Sequence, residues 1–339
     1  MKNIYFFFIA LSLALISCQK EDTAVVLPPP GNVKQMTVVM GPNYDNQIYV
    51  SLSQGTAVTR PYRPYDLAFE ASESGIRLYV NDGKLMFVAN THSSDMLTAD
   101  STGKEWAVDQ EHYHPDSSAF RTWWNNASLI NGGSEVFVVD RGRYDFTGAN
   151  RFRKIQIVSV DDSSYHIRYS KYDNSELADF TIPKNHDYSL MYFSFDSGGQ
   201  MVNQGPAKND WDLLFTKYTH IYFEEPIGSP FRYYSVNGAI LNVWNNTSGS
   251  MLKKDSLPNY EVFDTLKYAN VSNYNFSNDA AVIGFDWKYY DFNNSRYYIR
   301  PDQYYIIKDK DGLYYKIRML DFYDQQGFKG TITFEYQRI

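Results

Sequence analysis

Apolar and polar residues alternate along several short segments of the chain, most clearly over residues 154–158 and 331–336. Successive side chains of a β-strand point to opposite faces of the sheet, so a two-residue period predicts strands with one buried and one solvated face. Such strands are typical of antiparallel sheets. Long helical periodicity is absent, and we therefore expect an all-β fold, mainly antiparallel, with few short helices.

Glycine-containing turns separate these segments. Asn-Asp-Gly at 81–83, Asn-Gly at 237–238 and Asp-Gly at 311–312 each stand between strand-like runs. Asparagine or aspartate followed by glycine supplies the positive φ that a tight hairpin requires. Each of these turns is therefore predicted to join two strands.

Several short patterns recur in the same order along the chain. Residues 49–52 match 192–195, 65–69 match 211–215, 80–81 match 236–237, and 154–157 match 316–319. Colinear self-similarity of this kind indicates a duplicated unit. We predict two tandem related modules, residues 33–174 and 175–339.

The N-terminus has the pattern of an export signal. Lys2 precedes an apolar run over residues 4–16, which is too short to span a bilayer as a mature helix. The run ends in Leu-Ile-Ser-Cys at 15–18, which resembles the bacterial lipobox, in which cleavage precedes the cysteine and lipid is attached to it. We predict a signal peptide over 1–17 and a lipidated, flexible tether over 18–32, anchored in the outer membrane through Cys18.

The residues after Cys18 bear on which side of the membrane the protein faces. Lys-Glu-Asp at 20–22 resembles the lysine-plus-acids tag that directs lipoproteins of Bacteroidetes to the outer surface. We therefore expect display on the cell exterior. An ordinary solvated tether is the alternative, because the prolines at 28–30 favour an extended spacer in either case.

Composition narrows the classes of function. Cys18 is the only cysteine, so the chain has no second thiol for a disulfide and no thiolate cluster for a metal. The 30 Tyr and 22 Phe fit a strand-rich fold. A formal net charge of −7 argues against a nucleic-acid partner, because a phosphate backbone needs a basic face. No serine elbow, zinc-protease helix motif, phosphate loop or cysteine nucleophile occurs, and we expect no enzyme activity.

A set of motifs in residues 175–339 carries a family resemblance. They are Tyr-Phe-Ser-Phe at 192–195, Trp-Asp-Leu at 211–213, Gly-Phe-Asp-Trp at 284–287, Tyr-Ile-Ile-Lys at 305–308, and residues 330–336. Together they resemble the HmuY family of haem-binding lipoproteins of Bacteroidetes. The resemblance implies a mostly antiparallel β fold, a lipid-anchored surface location, and haem capture beside a TonB-dependent outer-membrane receptor.

Haem iron takes axial donors from His, Met, Cys or Tyr. In the haem-binding founder of the family, one histidine ligand follows the tryptophan matched by Trp287, and another lies upstream. Here Lys-Tyr-Tyr-Asp-Phe occupies 288–292, and residues 260–278 contain neither His nor Met, so that pair is not matched. Four tyrosines could instead ligate haem iron or stack on the ring: Tyr268, Tyr274, Tyr289 and Tyr290. The alternative is that each has only a structural role.

The closest pair of histidines is His112 and His114. In an extended segment residues two apart point to one side, so both imidazoles could meet one metal or one haem edge. A solvated loop is the alternative, and the identity of any metal stays open. Three functions remain: capture of haem or a related ligand for a receptor, binding of a glycan or peptide, and a non-catalytic receptor-associated or adhesive scaffold.

Overall fold

Antiparallel pairing joins the strands of this chain. The structure is a computed structural model that describes residues 29–111, 113, 117–121, 123, 134–254 and 261–339. Within these ranges every paired strand runs antiparallel to its neighbour. The predicted all-β class is confirmed. Helical structure in the described ranges consists of short 3-10 turns at Asp82–Lys84, Gly148–Asn150, Asp196–Gly198, Lys208–Asp210, Val243–Asn245 and Tyr268–Asn273.

Two larger sheets each cover a hydrophobic core. The five-stranded sheet, ordered β1-β21-β20-β19-β16, contains β1 (Lys34–Val39), β16 (Ser248–Lys253), β19 (Gln303–Lys308), β20 (Tyr314–Tyr323) and β21 (Lys329–Arg338). The six-stranded sheet, ordered β11-β10-β9-β8-β6-β7, contains β6 (Phe87–Asn90), β7 (Trp106–Ala107), β8 (Phe137–Asp140), β9 (Phe152–Val160), β10 (Ser164–Lys171) and β11 (Ala178–Pro183). Trp287 lies in the first core and Phe193 in the second.

Smaller sheets complete the architecture. One, ordered β13-β12-β4-β5, contains β4 (Leu67–Glu70), β5 (Leu78–Val80), β12 (Leu190–Ser194) and β13 (Gln200–Val202). Another, ordered β15-β14-β2-β3, contains β2 (Asn46–Ser51), β3 (Thr56–Pro61), β14 (Leu213–Ile221) and β15 (Tyr233–Leu241). A two-stranded hairpin is formed by β17 (Lys288–Asp291) and β18 (Arg296–Ile299).

Strands of the two predicted modules pair with each other in the same sheets. β2 pairs with β14, β12 with β4, β1 with β21 and β10 with β11, so four sheets contain strands from both sides of residue 175. Residues 31–339 accordingly form one compact unit. Residues 1–30 form a separate unit, of which Pro29 and Pro30 are described. The module boundaries stay predictions, and they are not boundaries in space.

The sheet registers repeat most of the sequence matches. β2 and β12 each pair with the strand that begins directly after the matched aspartate, and Lys154 and Lys316 occupy the same position in β9 and β20. The match of 80–81 with 236–237 is wrong. Leu67 and Leu213 are matched residues, and Leu67 pairs with Val80 whereas Leu213 pairs with Leu241. The true counterpart of 80–81 is 241–242.

The glycine-containing turns have different outcomes. Residues 311–312 join β19 to β20, as predicted. Residues 81–83 enter a 3-10 turn that leads into a different sheet, and Gly238 lies inside β15. A Cβ on Gly238 would lie 2.2 Å from the carbonyl oxygen of Gly284. This glycine is therefore needed for close backbone approach and not for a hairpin turn.

Candidate ligand-binding site

A groove of about 580 Å³ opens beside β16. We call it the β16 groove; it lies between the end of β14, β16 and residues 273–286. Its volume falls within the roughly 300–1,000 Å³ of sites that hold small molecules and cofactors. Ala281, Val282 and Phe285 give it apolar walls, and the potential iron ligands on its lining are His220, Met251, Tyr274 and Tyr218.

Two isolated bridges hold the wall of the β16 groove in place. Gly249 of β16 and Ser277 exchange backbone hydrogen bonds of 3.0 and 2.8 Å. Ala239 of β15 and Gly284 exchange two more, of 2.9 and 3.0 Å. Gly284 has a φ of +62°, which L side chains rarely adopt. The segment 277–284 is thus fastened at both ends, and the groove is framed before any ligand binds.

His220 is oriented by a carboxylate. Its Nδ1 lies 2.8 Å from Oε2 of Glu111, and its ring packs edge-on against Tyr222 and Phe285 at 4.7 and 4.8 Å. An ionised carboxylate can only accept a hydrogen bond, so Nδ1 is the donor and Nε2 keeps its lone pair. Histidines that bind a metal through one ring nitrogen commonly donate the N–H of the other nitrogen to a carboxylate, which fixes the ring. Nε2 of His220 is therefore a suitable ligand atom.

Met251 stands at an exposed position of β16. Its relative exposure is 41%, although the residues on either side, Ser250 and Leu252, are buried. The Nε2 atom of Gln303 lies 3.4 Å from its sulfur. A thioether is a soft ligand that also packs well against flat apolar surfaces. Met251 therefore offers the groove a second potential iron ligand.

The phenols of the groove differ in accessibility. Tyr218 is fully buried, and within the described part of the chain its hydroxyl has no hydrogen-bond partner. Burial raises the pKa of Tyr218 well above its usual value, so it is a neutral phenol at neutral pH. Tyr274 packs in a small core with Phe263 and Tyr304 and reaches the groove edge.

The residues predicted from sequence lie in different places. Cys18, His112 and His114 lie outside the described residues. Tyr274 lines the groove, and Tyr268 is half-exposed with its ring 5.7 Å from that of Tyr314.

Tyr289 and Tyr290 lie on the hairpin strand β17. Tyr289 stacks on Tyr298 at 5.9 Å, whereas Tyr290 contacts Tyr297 at 5.0 Å, on the opposite face of the hairpin. Neither lines the β16 groove.

Sequence reasoning missed His220 and Met251. His220 has its partner Glu111 109 residues away, a separation at which no local pattern pairs them. Met251 lies just upstream of the window 260–278 that the family resemblance marked. No sequence signal marked Met251, because single exposed apolar side chains are common on protein surfaces.

Across the described ranges, no three His, Cys, Asp or Glu side chains are placed to hold a metal ion. No helix in the same ranges is long and apolar enough to span a membrane.

One family model matches part of this chain. Residues 185–336 match the family model described as HmuY protein, so this part of the chain is HmuY-like, and the predicted resemblance is confirmed. The match supports a ligand-binding role, at the level of the family, for residues 185–336. No curated protein matches the sequence.

Three solved structures are similar to this chain. Apo PinO from Porphyromonas gingivitis is 10% identical, with 91% of this chain and 97% of that chain covered and a TM-score of 0.27. The apo HmuY analogue of Tannerella forsythia is 11% identical, with 92% and 98% covered and a TM-score of 0.26. A Bacteroides vulgatus protein, described as a candidate HmuY-like haem-binding protein, is 18% identical, with 41% and 78% covered and a TM-score of 0.21. At these TM-scores the family assignment stands on the sequence match alone.

Proposed function

Because residues 185–336 are HmuY-like, we propose that this protein binds haem, or a closely related tetrapyrrole, in the β16 groove. The observation that carries the proposal is that His220 and Met251, two side-chain types that ligate haem iron, line one groove with apolar walls. His220 and Met251 would hold bound haem through its iron, and the iron would supply the site's metal chemistry. We further propose that the protein acts on the outer surface and passes its ligand to a TonB-dependent receptor.

The lining of the β16 groove suits a flat, apolar ring with polar edges. Ala281, Val282 and Phe285 can pack against the ring, and Asn273 and Asn275 offer amide donors to its carboxylates. His220 is the stronger candidate ligand, because Glu111 fixes its tautomer and ring orientation.

Delivery to a receptor rests on the N-terminal tether. The predicted tether, residues 18–32, contains fifteen residues from the lipidated Cys18 to the start of the first predicted module. At about 3.1 Å per residue, an extended proline-containing tether of that length reaches about 45 Å from the bilayer surface. Such a tether lets the groove approach a neighbouring membrane receptor while the lipid stays inserted.

Titration of the lipid-free chain, residues 19–339, with haemin tests the binding proposal. We expect a saturable Soret shift that H220A and M251L weaken at least tenfold. The matched control variants are H186A, at an exposed turn, and M36L, on β1, and both should bind as the wild type does. Absence of a saturable shift, or a shift unchanged in the double variant, would overturn the placement of haem in this groove.

A second candidate function is glycan binding on the β17–β18 hairpin. Tyr289 and Tyr298 are 45% and 38% exposed and stack within 28° of parallel. The guanidinium of Arg300 lies 5.2 Å from the ring centre of Tyr289, and Asp291 faces Arg296 across the hairpin. Flat aromatic faces bordered by charged groups suit a sugar, whose C–H face is apolar and whose edge carries hydroxyls. Calorimetry with soluble polysaccharides, comparing the wild type with Y298A, tests this function.

A further inference from the structure

We propose that the first predicted module contains a second tetrapyrrole site, in a groove beside β6. This β6 groove has a volume of about 440 Å³. It is equivalent in sheet register to the β16 groove, and His92 would provide its iron ligand. The proposal rests on the proposed function, because the ligand class is taken from the first groove.

The equivalence starts from two buried lysines. Lys154 of β9 and Lys316 of β20 are each about 97–98% buried, and each donates its ammonium group to backbone carbonyls at 2.7–3.2 Å. Each lysine is followed by an isoleucine, which faces Phe137 on β8 in the first case and Tyr305 on β19 in the second. Phe137 and Tyr305 therefore occupy the same sheet position.

The next strand extends the equivalence to the grooves. Phe137 faces Asn90 on β6, and Tyr305 faces Met251 on β16. Asn90 and Met251 each line their own groove. Asn90 is therefore the positional counterpart of the proposed ligand Met251.

The far edges of the two grooves agree as well. Val88, two residues before Asn90, pairs with Ala107, and Gly249, two residues before Met251, forms a bridge with Ser277. All four residues of these two pairs line a groove. Because residues two apart on a strand share a face, both grooves lie on the same face of equivalent strands.

The β6 groove has the lining that the ligand requires. Phe120 and Trp123 are buried aromatics on its wall, together with Val88. Arg121 stands at the rim, 3.1 Å from Glu105, and can offer a cation to a ring carboxylate. The chemistry is again that of an apolar slot with a polar edge.

The iron ligand differs between the grooves. Asn90 has an amide in place of the thioether of Met251, and an amide is not a usual haem ligand. His92 lies two residues further on, with its side chain 66% exposed, and its backbone has a φ of +58°, uncommon for a residue other than glycine. Its Nδ1 lies 3.4 Å from the carboxylate of Glu135, which also accepts a bond of 2.6 Å from Asn90.

Each groove thus pairs one histidine with one carboxylate. His92 with Glu135 corresponds chemically to His220 with Glu111, although Glu135 is the more exposed of the two acids. The β6 groove lacks a methionine on its described lining, so a tetrapyrrole there would have a single axial ligand from this protein. We expect a second, weaker equivalent with the absorption spectrum of five-coordinate, high-spin haem.

Haemin titration of the lipid-free chain, followed by absorbance and native mass spectrometry, tests the second site. The wild type should bind two equivalents. H92A should lose the weaker, high-spin equivalent and keep the first, whereas the H220A/M251L double variant should keep the equivalent that H92A loses. H186A is the matched control, and thermal unfolding confirms that each variant is folded.

The outcomes separate the two proposals. One equivalent that is lost in the H220A/M251L variant and unchanged in H92A overturns the second site and leaves the proposed function standing. One equivalent that is lost in H92A alone supports the second site and overturns the assignment of the β16 groove. Two equivalents that are both unaffected by H92A overturn the role of His92.

Discussion

The side-chain hydroxyls of Tyr49 and Tyr192 lie 3.3 Å apart, so residues that match each other in the two repeated segments are in contact. Tyr49 lies on β2 and Tyr192 on β12, which belong to different sheets. Gln47 donates a further hydrogen bond of 2.8 Å to the Tyr49 hydroxyl.

Removing the hydroxyls should reveal an interaction between the two sheets. Y192F is expected to lower the free energy of unfolding by about 1 kcal/mol, and Y49F by about 2 kcal/mol, because it also leaves the Gln47 amide unpaired. Urea unfolding of the single and double variants measures the coupling. The exposed Tyr144 gives the control Y144F, and fully additive effects would contradict the coupling.

The matched aspartates should respond differently to substitution by asparagine. The Asp66 carboxylate is fully buried and accepts hydrogen bonds from the Lys84 ammonium at 2.5 Å and from the Arg141 guanidinium at 2.7 and 3.0 Å. The Asp212 carboxylate accepts one from the Leu52 amide at 2.7 Å. D66N removes the counter-charge of buried Lys84 and one of the two carboxylates that pair with Arg141, the other being Asp196, so we expect a loss of about 3–5 kcal/mol. D212N keeps an oxygen acceptor, and a change under about 1 kcal/mol is expected near pH 4, where the wild-type carboxyl is neutral like the amide. Guanidinium unfolding of both variants measures the two losses of unfolding free energy. Equal losses in D66N and D212N would contradict this prediction.

Asp212 should make stability depend on pH in an acidic window. Burial raises its pKa from 3.8 to about 6, so the folded state holds the proton more tightly than the unfolded state does. The resulting stabilisation is complete below pH 4 and is lost as the pH rises to about 6, by at most about 3 kcal/mol.

The D212N variant isolates this contribution. Asp109, whose pKa burial raises to about 7, titrates in the same direction, but it is present in both proteins. The difference in unfolding free energy between the wild type and D212N, measured from pH 4 to 7, should therefore follow Asp212. A difference that does not vary with pH would show that Asp212 does not titrate in this range.

A methyl group at Gly238 should disturb the frame of the β16 groove. A Cβ there would lie 2.2 Å from the Gly284 carbonyl oxygen, which accepts the Ala239 amide across the bridge. G238A is expected to destabilise the fold by about 3 kcal/mol and to weaken haemin binding. The control is G31A, whose Cβ would have ordinary contacts at 3.5 Å or more. Unchanged binding in a folded G238A protein would separate the bridge from the site.

Much of the fold was predictable because its signals are local. The two-residue period over 154–158 and 331–336 is a property of neighbouring side chains, and both segments lie in strands, in β9 and β21. The turn at 311–312 joins two consecutive strands, as its residues require. The motifs in residues 185–336 likewise were enough to indicate the family.

The candidate site was predictable only in part. Tyr274 was named from sequence and lines the β16 groove. His220 and Met251 were not, because their roles depend on Glu111 and on the course of residues 273–286.

The sequence by itself determined the all-β class, the turn at 311–312 and the family resemblance of residues 185–336. Each of these depends on residues that are close together in the chain. Only the tertiary structure decided which strands pair, and it paired β2 with β14 and β12 with β4 across the predicted module boundary. Tertiary packing also brought His220 to Glu111 and placed Gly238 against Gly284. Backbone hydrogen bonds between strands are alike for every sequence, so partner and register are selected by the packing of distant side chains, which local patterns do not record.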